Sequence, residues 1–169
     1  MSEKDLDSSV NNYIEEKCSL NYVKQLQWDA AIGLQEVDSL KPSKYLKKLV
    51  EENIKGEKII YEVEHELKEY YIEKEKINAI NHNELECDLV STRMVQILED
   101  EKFVLSVNFL KYIHGYLFKD IYDFAGQFRK IIFSKHELIL NNDSALYGDC
   151  KTLKESLEYD ISLERVKNY

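Results

Sequence analysis

Apolar and polar positions alternate along this chain with a helical period almost throughout. Residues 1–21 are polar and mixed in charge, with scattered apolar positions such as Val10, Tyr13 and Ile14, and read as a loosely docked leader. Around Trp28, the positions Val23, Leu26, Ala30, Ala31 and Leu34 recur at three- and four-residue steps, which predicts a helix carrying that stripe. Pro42 holds Lys41 extended and pre-sets the first turn of the next helix. That helix shows Tyr45, Leu46, Leu49, Val50 and Ile54 before Gly56, which stands where a left-handed cap belongs. A third helix carries Ile59, Ile60, Val63, Leu67, Tyr70 and Tyr71. Together, residues 22–73 read as one small helical module.

The pattern weakens over 74–84, a charged stretch with Asn78, Asn81 and Asn83 that reads as a linker. Beyond it, residues 85–169 form a second domain. Leu85, Leu89, Val90, Met94, Ile97 and Leu98 predict a helix over 85–98. Ser106 is a good N-cap for another, whose stripe is Phe109, Leu110, Ile113, Leu117 and Phe118. The period then shortens to two. Residues 130–133 and 138–140 read as short strands of one hairpin, separated by Ser134, Lys135, His136 and Glu137 and closed by Asn141, Asn142 and Asp143. A helix follows over 150–157, and another starts at Ser162. The fold class is mainly α, with one small β-hairpin.

Composition sharpens this picture. Only five glycines and one proline occur in 169 residues, which favours helices over sheets joined by tight turns. The closest glycines, Gly115 and Gly126, lie eleven positions apart, so neither the dinucleotide loop nor the Walker loop is present. The net charge of −9 repels a phosphate backbone, and the densest basic run, 41–48, is followed at once by Glu51 and Glu52; nucleic acid is not an expected partner. Cys18, Cys87 and Cys150 have no metal-site spacing and read as free thiols of a cytoplasmic protein. The polar start is not a signal peptide, and no apolar run reaches a membrane span.

Little in these residues points directly to catalysis. His114 stands beside an apolar stripe, where a structural role is the ordinary one, and His136 lies in the hairpin loop. Glu62, Glu64 and Glu66 alternate along a helix, so they splay and read as a solvated face. The twelve tyrosines, including Tyr70, Tyr71, Tyr112, Tyr116 and Tyr122, suit packing better than base stacking on so negative a chain.

One stretch says more. Phe109-Leu-Lys-Tyr-Ile-His-Gly-Tyr-Leu-Phe118, followed by Lys-Asp-Ile-Tyr122-Asp-Phe-Ala-Gly126-Gln-Phe-Arg129, resembles the segment leading into the flap of Fic-domain proteins. Its signature positions here are His114, Phe118, Tyr122, Gly126 and Arg129. Upstream, Trp28-Asp-Ala-Ala-Ile-Gly-Leu-Gln-Glu-Val-Asp-Ser-Leu-Lys-Pro-Ser43, with Ile54-Lys-Gly-Glu57 and Tyr70-Tyr71, resembles the antitoxin-like helical module fused ahead of such domains. The resemblance implies a Fic-like helical bundle with a flap hairpin, and a protein that transfers AMP from ATP, with Mg²⁺, to a hydroxyl of a target protein. It also implies that the flap, here Lys130, Ile131, Ile132, Phe133, Ser134, Lys135, His136, Glu137 and Leu138, docks an extended segment of the target by strand addition. The family's catalytic loop, His-x-Phe-x-(Asp/Glu)-Gly-Asn-Gly-Arg, is not among these residues, and in the family it follows the point matching Tyr169. No catalytic residue is therefore assigned, and the chain is expected to be inactive alone. The alternative is a non-catalytic regulatory protein that binds a Fic partner or target, or associates with itself. The family's inhibitory motif, Ser/Thr-x-x-x-Glu-Gly/Asn, aligns with Leu34-x-x-x-Asp38-Ser39, which departs at all three positions and makes Asp38 the candidate inhibitory residue.

Overall fold

The computed structural model describes residues 3–100, 102–132, 134–136 and 144–167. These fold as six helices and two short strands: α1 (Glu3–Val37), α2 (Lys44–Ile54), α3 (Ile60–Lys76), α4 (His82–Glu99), α5 (Val107–Phe118), β1 (Ser134–His136), β2 (Ser144–Leu146) and α6 (Leu153–Lys167). The fold is mainly α. The chain divides into two compact units between Glu101 and Lys102, so the helix expected to open the second domain, α4, belongs to the first.

Three predicted segments differ from the helices of the structure in extent. Of the expected leader, residues 3–21 belong to the 35-residue α1, because no glycine or proline before Gly33 interrupts it. The expected linker, 74–84, holds only a tight turn: α3 runs to Lys76, Asn78 takes φ 51°, and Asn81 caps α4 by accepting from the Asn83 and Glu84 amides. The two terminal helices are one, α6.

In the first unit, α4 packs against α1 and α3, while α2 packs against both α1 and α3. The core is Trp28, Ala31, Leu46, Leu49, Ile60, Val63, Leu67, Tyr71, Val90 and Val95. The face of α1 differs from the expected stripe. Trp28 and Ala31 are buried, whereas Val23, Leu26, Ala30 and Leu34 are exposed. The bulky indole fixes the rotation of the helix, and its Nε1–H donates to Asn53 Oδ1 at 2.9 Å. Neither is the expected stripe of α4 a simple core face. From Cys87 to Arg93 every residue is buried, so α4 is the central helix of the unit, while Leu98 is exposed. Burial pushes the Cys87 thiol up to about 11.

Helices α1, α2 and α3 end alike. The residue after each C-cap is left-handed: Ser39 (φ 62°), Gly56 (φ 76°) and Asn78 (φ 51°). Each end is closed by the paired backbone bonds of a Schellman motif; in α1, Leu40 N–H donates to Gln35 O and Ser39 N–H to Glu36 O. Serine is the poorest residue for this conformation among the three. Ser39→Gly is expected to stabilise the first unit by about 0.5–1 kcal/mol, the relief of left-handed strain less glycine's extra freedom when unfolded. Urea denaturation checks this; a destabilisation would show that the Ser39 side chain makes a compensating contact.

The second unit pairs α5 with α6. Ser106 caps α5 by accepting from the Phe109 amide at 3.1 Å. The hairpin register is not the expected one. Ser134, Lys135 and His136, read as the loop, form β1 and pair antiparallel with Leu146, Ala145 and Ser144. Lys130, Ile131 and Ile132, read as a strand, are irregular; Phe133 and 137–143 lie outside the described residues. The apolar run was a poor guide because Ile131 and Ile132 are both exposed, with no opposing face to alternate against.

Candidate functional site

Four of the five signature positions, His114, Phe118, Tyr122 and Gly126, lie together in the second unit, and Arg129 follows them in the chain. Helix α5 carries His114 and Phe118, and the turn behind it carries Tyr122, Gly126 and Arg129. Gly126 N–H donates to His114 Nδ1 at 2.8 Å, so this ring nitrogen serves as the acceptor that ties the turn to α5. His114 stacks obliquely on Phe118, with centroids 4.9 Å apart, and Phe118 lies 5.9 Å from Tyr122. Tyr122 in turn stacks on Phe124 at 4.9 Å.

Gly126 is required where helix and turn meet. A Cβ on Gly126, whose φ is +72°, would lie 3.2 Å from Gly115 Cα and 3.2 Å from Lys111 O. A side chain at Gly126 would press on backbone atoms of the helix, whereas a Cβ on Gly115 would meet Gly126 Cα at 3.4 Å, an ordinary contact. Arg129 then closes the turn: Nη1 donates to Ile131 O at 3.1 Å and Nη2 to Gly148 O, the latter just ahead of α6. The guanidinium also lies 5.8 Å from the Tyr147 ring centroid. A planar fork reaching two carbonyls is a positioning device, and it anchors both ends of the segment that carries β1 and β2.

Beside this cluster lies an open cleft of about 610 Å³, lined by His114, Phe124, Phe128, Ile131 and Leu153, with Gln127, Arg129 and Lys130. Apolar side chains are also exposed elsewhere in the second unit. Among its described residues, Val107, Leu117 and Ile161 are the buried apolar ones, whereas Phe103, Val104, Phe124, Ile131, Ile132, Tyr159 and Val166 are each more than half exposed. Of the stripe expected on α5, only Leu117 is buried.

The remaining candidates are scattered. Asp38 is exposed at the end of α1, with the left-handed Ser39 behind it. Of the flap positions, Lys130, Ile131, Ile132 and Ser134 are exposed, Lys135 and His136 complete β1, and Phe133, Glu137 and Leu138 are outside the described residues. Glu64 is not solvated as expected. It is buried, and its carboxylate accepts from Arg93 Nε and Gln96 Nε2, each at 3.0 Å, with Lys68 at 3.2 Å. Arg93 itself is fully buried. The pairing is not legible in the sequence, because the partners are 29 positions apart.

Among the described residues, no three His, Cys, Asp or Glu side chains converge as a metal site. The sequence holds no Gly-x-Gly. No described helix is long and apolar enough to cross a membrane. No family model, curated protein or solved structure matches the chain.

Proposed function

We propose that this chain is Fic-related: an antitoxin-like helical module followed by the part of a Fic domain that carries the signature helix and the target-docking flap. One observation carries the reading. The Gly126 amide closes on His114 Nδ1, and a Cβ at Gly126 would meet Gly115 Cα at 3.2 Å, so helix and turn act as one lock that holds the turn before the flap. Ser39 adds support, being left-handed where the family's inhibitory motif places Gly or Asn. In this reading, the segment from Lys130 through β1 docks an extended stretch of a target protein.

The chain acts by binding. The loop whose histidine would deprotonate the target hydroxyl, and whose acid would hold Mg²⁺, is not in these 169 residues, and a transfer that depends on positioning and charge stabilisation does not proceed without it. Incubation with α-labelled ATP, Mg²⁺ and lysate is expected to leave no protein labelled above background. A strong ATP-dependent band would overturn this account of the chain. The exposed apolar surface of the second unit favours a regulatory reading beside it, in which the chain binds a Fic protein or a target without catalysis.

A further inference from the structure

In the first unit, one carboxylate holds three helices. Asp88, on α4, is fully buried. Its Oδ1 accepts from the Ser43 backbone N–H at 2.9 Å, and its Oδ2 accepts from the Ser43 hydroxyl and, at 2.7 Å, from the Tyr71 hydroxyl of α3. Ser43 is also the N-cap of α2, where its Oγ accepts from the Leu46 amide at 3.0 Å. The serine hydroxyl therefore relays between α2 and α4, donating to one and accepting from the other. Burial raises the Asp88 carboxyl above its ordinary range, against the hydrogen bonds from Ser43 and Tyr71. Ser43 ends the connection that begins at the Schellman turn of α1, with Asp38 and Ser39 at its other end.

We propose that Asp88 is a positioning residue for the α1–α2 connection: by holding Ser43 through both its backbone and its side chain, it fixes the segment 38–43 against α4. The amide of an N-cap ordinarily exchanges by fraying, since it makes no intrahelical bond. Here it is clamped to the central helix of the unit. The geometry does not depend on the Fic reading. Only its consequence, that Asp38 is presented in one fixed position, rests on that reading.

Native-state hydrogen exchange on the full chain tests the proposal. In the wild type, the Ser43 amide is expected to exchange with the protection of the Val90 and Val95 amides, through opening of the whole unit. Exchange of Ser43 at the rate of an exposed turn would overturn the proposal without any variant. Asp88→Ala is expected to speed exchange at Ser43 and Leu46 by more than about tenfold relative to the α4 amides, the loss of a buried acceptor being confined to its donors. A uniform acceleration across α1 to α4 would contradict it. Asp88→Asn keeps the acceptor for the Ser43 amide and is expected to restore protection; an asparagine variant as fast as alanine would also overturn it. Tyr71→Phe, which removes only the α3 bond, is expected to leave Ser43 protected, and loss of that protection would shift the role to Tyr71. Labelled-ATP assays do not enter this test, so failure here and failure of the Fic reading are separable.

Discussion

Replacing Glu64 with alanine is expected to cost the first unit about 3–5 kcal/mol, because it strips the carboxylate from a fully buried arginine. Arg93 cannot shed its charge at any ordinary pH. Its side chain sits on the central helix with no exposed surface, so it cannot turn to water without opening the core. Lys68, by contrast, keeps its ammonium partly in solvent and loses little. A fall in melting temperature of more than about 10 °C is the expected readout for a unit of this size. Removing both charges together, as Glu64→Leu with Arg93→Met, is expected to recover most of the loss, since the pair is then replaced by apolar volume. A Glu64→Ala loss below about 1 kcal/mol would mean that the pair behaves like an exposed one.

Alanine at Gly126 is expected to cost the second unit about 2–4 kcal/mol. Two effects add. The left-handed backbone becomes strained, and the new methyl would lie 3.2 Å from Gly115 Cα and from Lys111 O, both backbone atoms that cannot swing aside. Separating helix and turn to relieve the contact also lengthens the Gly126–His114 bond. Gly115→Ala is the matched control. Its Cβ would meet Gly126 Cα at 3.4 Å, a contact that a small shift accommodates, and the gain in helix propensity of about 1 kcal/mol offsets the crowding. Gly115→Ala is therefore expected to be close to neutral. Equal losses at both glycines in urea denaturation would place the cost in crowding alone; equal tolerance would remove the lock.

Local chemistry was the legible part of this sequence. Ser106 as a cap and Gly56 as a left-handed terminator were readable because each depends on a few neighbouring residues. Faces were less readable. In α1, Val23, Leu26, Ala30 and Leu34 have a regular spacing, yet Trp28 sets the rotation and leaves them outside. In α4, burial runs right around the helix from Cys87 to Arg93, so the apolar stripe marks only part of the buried surface and leaves out Asp88 and Arg93, whose partners Ser43 and Glu64 come from other helices. The hairpin register was hidden for a related reason. With Ile131 and Ile132 exposed, apolarity did not mark the paired residues. Within the candidate site, the motif gave the signature residues, but not that His114 accepts the Gly126 amide or that Arg129 reaches Gly148.

The reading of this chain as Fic-related is tested most directly by sequencing the source DNA immediately after the Tyr169 codon. The account predicts an open frame that encodes His-x-Phe-x-(Asp/Glu)-Gly-Asn-Gly-Arg, placing the catalytic loop behind the signature helix and the hairpin. A stop codon at that point, or a frame without the loop, would contradict the reading of residues 102–169 as the leading part of a Fic domain.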